Sequence, residues 1–436
     1  LSSRQELPEI RTAPPGPRSR ELAARLAAVE SPAFDARREA REKASGAEQA
    51  PIVYAEGKGS NVVDVDGNRY VDLVAGFGAL LLGHRPERVA KAIAAQHDKL
   101  WLALGDVYAS DVKVELCERL AKLGPPGSRV MLGLSGADAV TAAMKTAMLA
   151  TGKPGVVAFT GAYHGLGYAP LAACGLQPAF RAPFAAQLGD HVTFAPYPSS
   201  GLDASLAAVR AAMKTRSVGA LIVEPILGRG GCVVPPRAFV GELRKLCDEH
   251  DALLVADEIW TGLGRAGSML ASGRVADIVC IGKGLGAGLP ISACIGTERA
   301  MHAWGAHGGS TIHTATHFGS PVACAAALAM LDALADGTLA TRAGHVGAQW
   351  MKTLRARTGN LGVRDVRGQG LMVGVELDGG GGRALATTRA LLSAGWLTLT
   401  GGTKGDVITL TPPLDIEEPL LDAFADALVR ALSEAS

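Results

Sequence analysis

Residues 277–290 read DIVCIGKGLGAGLP. Four apolar residues, Ile278 to Ile281, form a continuous run of the kind that fills a strand covered on both faces. Lys283 follows at once, set among glycines at 282, 284, 286 and 288. A surface lysine needs no such setting. Glycines strip the backbone so that it can approach a ligand closely, and a desolvated amine has a lowered pKa and becomes a usable nucleophile toward an aldehyde.

Outward from this stretch the same strand signature recurs. RVMLGL (129–134), GVVAFT (155–160), VGALIVEP (218–225) and ALLVADE (252–258) are apolar runs. Between them lie helical stretches, ADAVTAAMKTAMLATG (137–152) and PRAFVGELRKLCDEHD (236–251). Strand alternating with helix predicts an α/β fold: a large domain with a mostly parallel sheet flanked by helices. In such open sheets ligands gather at the carboxyl ends of the strands. Upstream, residues 1–20 are rich in Pro and Arg and read as a mobile arm, followed by a short helix. NVVDVDGNRYVDLVAGFG (61–78) reads as a hairpin turning at Asp66-Gly67. From about residue 326 a long helix, VRDVRGQGLMVGVEL (363–377) and DVITLTPPL (406–414) suggest a smaller α+β domain. The expected division is 1–75 (arm and hairpin), 76–325 (large domain) and 326–436 (small C-terminal domain).

Composition narrows the function classes. The 436 residues are 48% hydrophobic and 19% charged, with 43 basic against 42 acidic side chains and a net charge of +1. Nothing in that balance calls for nucleic acid or an anionic membrane, which leaves small molecules or another copy of the chain as partners. Seven scattered cysteines without a C-x-x-C pair suit reduced thiols, and no signal core or long apolar run appears; the expected location is cytoplasmic.

The other strand ends carry polar groups. Ser135-Gly136-Ala137 ends one strand and opens a helix, where free N–H groups can hold a phosphate; an N-cap serine with a turn glycine is the plainer account. Tyr163-His164-Gly165 follows another, and Tyr163 could stack on a flat ring or simply be a half-buried loop tyrosine. Asp257-Glu258 ends a very apolar strand, and Glu224 lies in similar surroundings; carboxylates there are costly unless paired or hydrogen-bonded. A phosphate cradle, a stacking aromatic, a carboxylate and an amine are what pyridoxal 5'-phosphate requires. The carboxylate keeps the pyridine nitrogen protonated so that the ring can accept electrons.

The ordered series DVDGNRYVDLVAGFG, LGHRPERV, SGADAV, YHG, VEPILGRGG, LCDEHDALLVADEIWTGLGRAG, DIVCIGKGLGAGLP and HTATHFGSPVACAAALAML resembles the class III pyridoxal-phosphate-dependent aminotransferases over roughly residues 50–425. The resemblance implies fold type I and a homodimer with shared active sites. It implies a ping-pong transfer of an amino group between an amine or amino acid and a keto acid or aldehyde. Lys283 would be the Schiff-base lysine and Asp257 the pyridinium partner. Gly136 and Ala137, with Ser135 adjacent, would bind phosphate. Tyr163 and Ile259 would cover the two ring faces, Thr316 would reach the neighbouring subunit's phosphate, and His164 and Glu224 would support.

Three departures bear on substrate. Family members often carry arginine where Thr409 and Leu166 stand here, and glutamine where Trp260 stands. Arg229, Arg181 and Arg265 are candidate replacements for a carboxylate clamp, and Trp260 with Arg229 are assigned to the substrate pocket. The missing arginines keep amino acid racemisation or epimerisation on the same cofactor as an alternative. GLGRAG (262–267) matches G-x-G-x-x-G, a more distant pointer to a nicotinamide oxidoreductase, but no helix is expected to open at its third glycine. His302, His307, His313 and His317 lie close in sequence without a supporting cysteine or carboxylate, so no metal is expected.

Overall fold

The alternating residues around Asp66-Gly67 build three antiparallel strands, β1 (Tyr54–Lys58), β2 (Asn61–Asp64) and β3 (Arg69–Asp72). Gly67 takes a φ of 83°, which favours glycine in the turn. Asp64 closes it, one carboxylate oxygen accepting from the N–H groups of Asp66 and Asn68 at 2.9 Å each. This computed structural model describes residues 5–199, 201–306 and 309–434. Within those bounds the expected mobile arm is corrected. Glu9 and Arg69 exchange backbone hydrogen bonds at 2.9 Å, and the N–H groups of Glu6 and Arg11 donate to the side chains of Asn61 and Asn68. The hairpin edge satisfies the segment's polar backbone and holds it down.

The apolar runs form one seven-stranded sheet. Its members are β4 (Arg129–Gly133), β5 (Gly155–Phe159), β6 (Val192–Ala195), β7 (Val218–Val223), β8 (Leu253–Asp257), β9 (Ile278–Ile281) and β10 (Ser292–Gly296), in the order β4-β10-β9-β8-β7-β5-β6. The stretch from β9 to β6 is parallel, while β10 runs antiparallel to both of its neighbours. Every residue of β5, β7, β8, β9 and β10 is buried, as two covered faces require. The helix Gly136–Thr151 lies on this sheet with its alanines in the core and ends at Gly152, whose φ of 68° is a glycine C-cap.

The predicted long helix beyond 326 is two helices, Pro321–Leu334 and Thr338–Thr358, broken at Gly337 with φ 73°. The first packs on the helices Glu87–Lys99 and Asp111–Ala121, so residue 326 lies inside a helix of the large unit. Beyond it come β11 (Val363–Gln369), β12 (Met372–Leu377), β13 (Trp396–Leu397), β14 (Leu399–Gly401) and β15 (Val407–Leu410). β11, β12, β15 and β14 form an antiparallel sheet, whereas β13 pairs parallel to β3. That pairing joins the hairpin at 54–72 to the segment after residue 395. One compact unit is Glu87–Thr341, and the other combines Leu1–Pro86 with Arg342–Ser436.

Candidate active site

Asp257 is the last residue of β8, buried to 4% exposure. One carboxylate oxygen lies 2.7 Å from Nδ1 of His164, and the other accepts from the Ile259 N–H at 3.1 Å. His164 comes from the loop after β5. Burial alone would depress its pKa, but the hydrogen bond and charge of Asp257, with the charge of Glu224, win and raise it.

Glu224 follows β7 directly. Its two oxygens accept separate backbone N–H groups, Tyr163 at 2.6 Å and Gly228 at 2.9 Å. Burial pushes its pKa up to about 7, helped by the charge of Asp257 and opposed by His164 and the two N–H donors. Glu258 faces elsewhere. Its carboxylate accepts from the N–H and hydroxyl of Ser272, 2.6 Å each, and from the Thr261 hydroxyl. The two neighbouring acids thus separate, Glu258 tying down its own turn and Asp257 holding the histidine.

Lys283 follows β9, which is parallel to β8 with Cys280 in register with Asp257. Both groups therefore emerge at the same sheet edge. The Lys283 amine sits 4.5 Å from the centroid of the Trp260 ring. Burial lowers its pKa; Asp257 and Glu224 oppose that shift, and Arg229 adds to it. The side chain keeps some solvent exposure, so a ligand can reach it.

Ser135 is the N-cap of the helix Gly136–Thr151. Its hydroxyl accepts from the Asp138 N–H at 3.3 Å, and the Asp138 carboxylate accepts from the Leu134 and Ser135 N–H groups at 3.0 and 2.9 Å. The capping reading thus describes the serine hydroxyl. Among the described residues no such bond engages the N–H groups of Gly136 and Ala137. A Cβ at Gly136 would stand 2.7 Å from Cδ1 of Ile259, and one at Gly282 would stand 3.4 Å from its Cγ2. Ile259 therefore lies between the helix start and the segment leading to Lys283.

Tyr163 is half-buried, and the Arg229 guanidinium lies over its ring at 4.4 Å from the centroid. Gly228 fits beneath Trp260; a Cβ there would run into the indole. Sequence reasoning missed Gly228 and this stacking. The only signal was the glycine pattern of ILGRGG.

Thr316 stands apart, exposed on the turn before the helix Pro321–Leu334. Thr409 belongs to β15 in the other unit and is buried with its hydroxyl unpaired. Leu166 is 50% exposed. GLGRAG forms turns, with φ of 89° at Gly264 and 88° at Gly267, and no helix opens there. A dinucleotide cradle requires that helix, so the motif match is chance. His302 ends a short helix, His313 lies 3.5 Å from the Lys145 amine, and His307 falls outside the described residues. Among the described residues no group of three or more His, Cys, Asp or Glu could hold a metal.

The donor set fits pyridoxal phosphate: an amine of lowered pKa, a carboxylate at the same sheet edge, and two unengaged N–H groups at a helix start.

Comparison with known proteins agrees. The family profile described as Aminotransferase class-III matches residues 43–432. An acetylornithine aminotransferase from Methanothermobacter thermautotrophicus is 35% identical, covering 88% of this chain and 94% of that one. Another from Mycolicibacterium smegmatis is 38% identical, covering 88% and 95%. Among solved structures, the ornithine aminotransferase of Toxoplasma gondii matches with a TM-score of 0.80 at 30% identity, over 88% of this chain and 90% of that one. A transaminase from a marine Virgibacillus shares the fold with a TM-score of 0.83 at 23% identity, covering 88% and 93%. The family implies pyridoxal phosphate, and the solved transaminases share the fold type I architecture that the resemblance implied. The chain belongs to the class III aminotransferases.

Proposed function

We propose that Lys283 tethers pyridoxal phosphate and that Asp257 faces its ring nitrogen. The observation that carries this is the register of Asp257 with Cys280, which brings acid and amine to one edge of a parallel sheet. Bound there, the cofactor supplies an electron sink for a carbanion at the substrate carbon that bears the amino group.

The chain's own groups do the rest. The free N–H groups of Gly136 and Ala137 and the positive end of their helix hold the phosphate. Ile259 and Tyr163 would flank the ring. His164 fixes the orientation of the Asp257 carboxylate. The Lys283 amine would take a proton from the substrate carbon; its lowered pKa leaves more of it neutral and ready to accept that proton. Trp260, beneath the amine, keeps water and bulk away from that path.

Two copies form the working unit in this reading. Trp101, Leu104, Val107 and Tyr108 are exposed apolar residues in one short stretch, and a second chain would cover them. Thr316, exposed on its turn, is then free to reach the partner's phosphate. No single helix among the described residues is long and apolar enough to cross a membrane, and none of the seven cysteines is in a disulfide, which suits a reducing cytoplasm.

The test is a paired screen of the purified holoenzyme. N-acetylornithine, other amino acids and simple amines are offered with pyruvate, 2-oxoglutarate or aldehydes. Ping-pong kinetics with at least one pair are expected, and Lys283→Ala should lose both turnover and the near-ultraviolet to blue absorbance. Sustained turnover by Lys283→Ala would remove the lysine from this role. Racemisation of single-enantiomer amino acids without any keto acid would redirect the assignment.

A further inference from the structure

We infer that the Arg229 guanidinium is the anion-binding group of the substrate pocket, so that the amino donor or acceptor of this enzyme carries a carboxylate. The inference rests on the reading that Lys283 is the reacting amine.

Arg229 is half-buried, yet among the described residues its side chain has no hydrogen bond and no ion pair. Its contacts are two aromatic faces: Tyr163 at 4.4 Å and Phe180 at 5.9 Å from the ring centroids. Stacking fixes the plane of a guanidinium while leaving its in-plane N–H fork unused, and that fork matches a carboxylate. The nearby acids are engaged elsewhere. Glu224 holds the N–H groups of Tyr163 and Gly228, and Asp257 holds His164 and the Ile259 N–H. An arriving carboxylate would complete the fork with charge-assisted hydrogen bonds that no protein acid now makes.

Position argues the same way. Arg229 follows Gly228, which packs on Trp260, and the Lys283 amine rests over that indole. Arg229 is near enough for its charge to act on Lys283. The other two candidates fail. Arg265 is wholly enclosed at 0% exposure and cannot meet a diffusing ligand. Arg181 is stacked on Phe194, 4.3 Å from its centroid, and its charge does not act on Lys283 as that of Arg229 does. The positions of Thr409 and Leu166 supply no charge, so within the large unit the clamp has moved to Arg229.

The experiment uses holoenzyme and compares Arg229→Met and Arg229→Lys with the unaltered chain. First, kcat/KM is measured for L-alanine and for 1-phenylethylamine, each with the same aldehyde as acceptor. The ratio of the two should fall about 10–100-fold in Arg229→Met, the scale of a lost charge-assisted pair, and less in Arg229→Lys, which keeps a point charge. Second, calorimetry compares benzoate with benzamide. The preference for benzoate should vanish in Arg229→Met. If Arg229→Met fails to keep the cofactor's absorbance, Arg229→Lys carries both measurements and should still show a reduced ratio. An unchanged ratio and an unchanged benzoate preference in an absorbing, folded variant would overturn the inference. A wild-type protein that neither absorbs with the cofactor nor turns over any amine would instead defeat the underlying reading of Lys283.

Discussion

Asp257 divides its carboxylate between two partners: Oδ2 lies 2.7 Å from Nδ1 of His164, and Oδ1 accepts from the N–H of Ile259 at 3.1 Å. An acid at the end of an apolar strand would otherwise pay for burial without a fixed direction. His164 supplies the direction, so it is a positioning residue. His164→Phe removes one charge-assisted hydrogen bond, worth about 1.5–3 kcal/mol, and should lower kcat by roughly 10–100-fold. KM should change little, and the absorbance maximum of the bound cofactor should move. Unaltered kcat and absorbance would assign His164 a packing role only.

Glu224 gives a pH dependence with a definite sign. Burial raises its pKa from the ordinary 4.5 to about 7. Between those values the folded chain holds a proton that the unfolded chain has released. The stabilisation is therefore complete below about 4.5 and is lost as pH rises through about 7. Denaturant unfolding of the cofactor-free chain across pH 4.5–8 should show this slope. Glu224→Gln should flatten it, apart from a pH-independent offset for the lost acceptor of one N–H group. Parallel slopes for the two proteins would contradict the assignment.

Gly228 is a site of close approach. Any Cβ there meets the indole of Trp260 and stands 3.2 Å from the Glu224 carboxylate. Gly228→Ala should destabilise the chain by about 1–3 kcal/mol, the usual cost of overpacking, and shift Trp260 beneath Lys283. A lowered melting temperature with altered tryptophan emission is expected. A wild-type melting curve would mean that the loop yields freely.

Much of this architecture was legible from the residues. Continuous apolar runs named β4, β5, β7, β8 and β9 because strands covered on both faces tolerate little else. The placement of Lys283 and Asp257 just at the ends of such strands was legible for the same reason. β10 was not seen, since SACIG is short and lies after the Gly-rich turn at 284–288 with no polar alternation to mark it. The pinned N-terminal segment was missed because its hold is backbone hydrogen bonding to Asn61, Asn68 and Arg69, which composition does not encode. The parallel pairing of Trp396 and Leu397 with β3 joins residues more than three hundred positions apart, and no local pattern announces it. The separation of Asp257 from Glu258 depended on Ser272, fourteen residues further on.

The account turns on the attachment of the cofactor at one amine. Holoenzyme reduced with sodium borohydride, digested and sequenced by mass spectrometry tests it directly. A phosphopyridoxyl group on Lys283, and on no other lysine, is the predicted result. A label confined to another lysine, or absent from a protein that retains the cofactor and turns over, would contradict it.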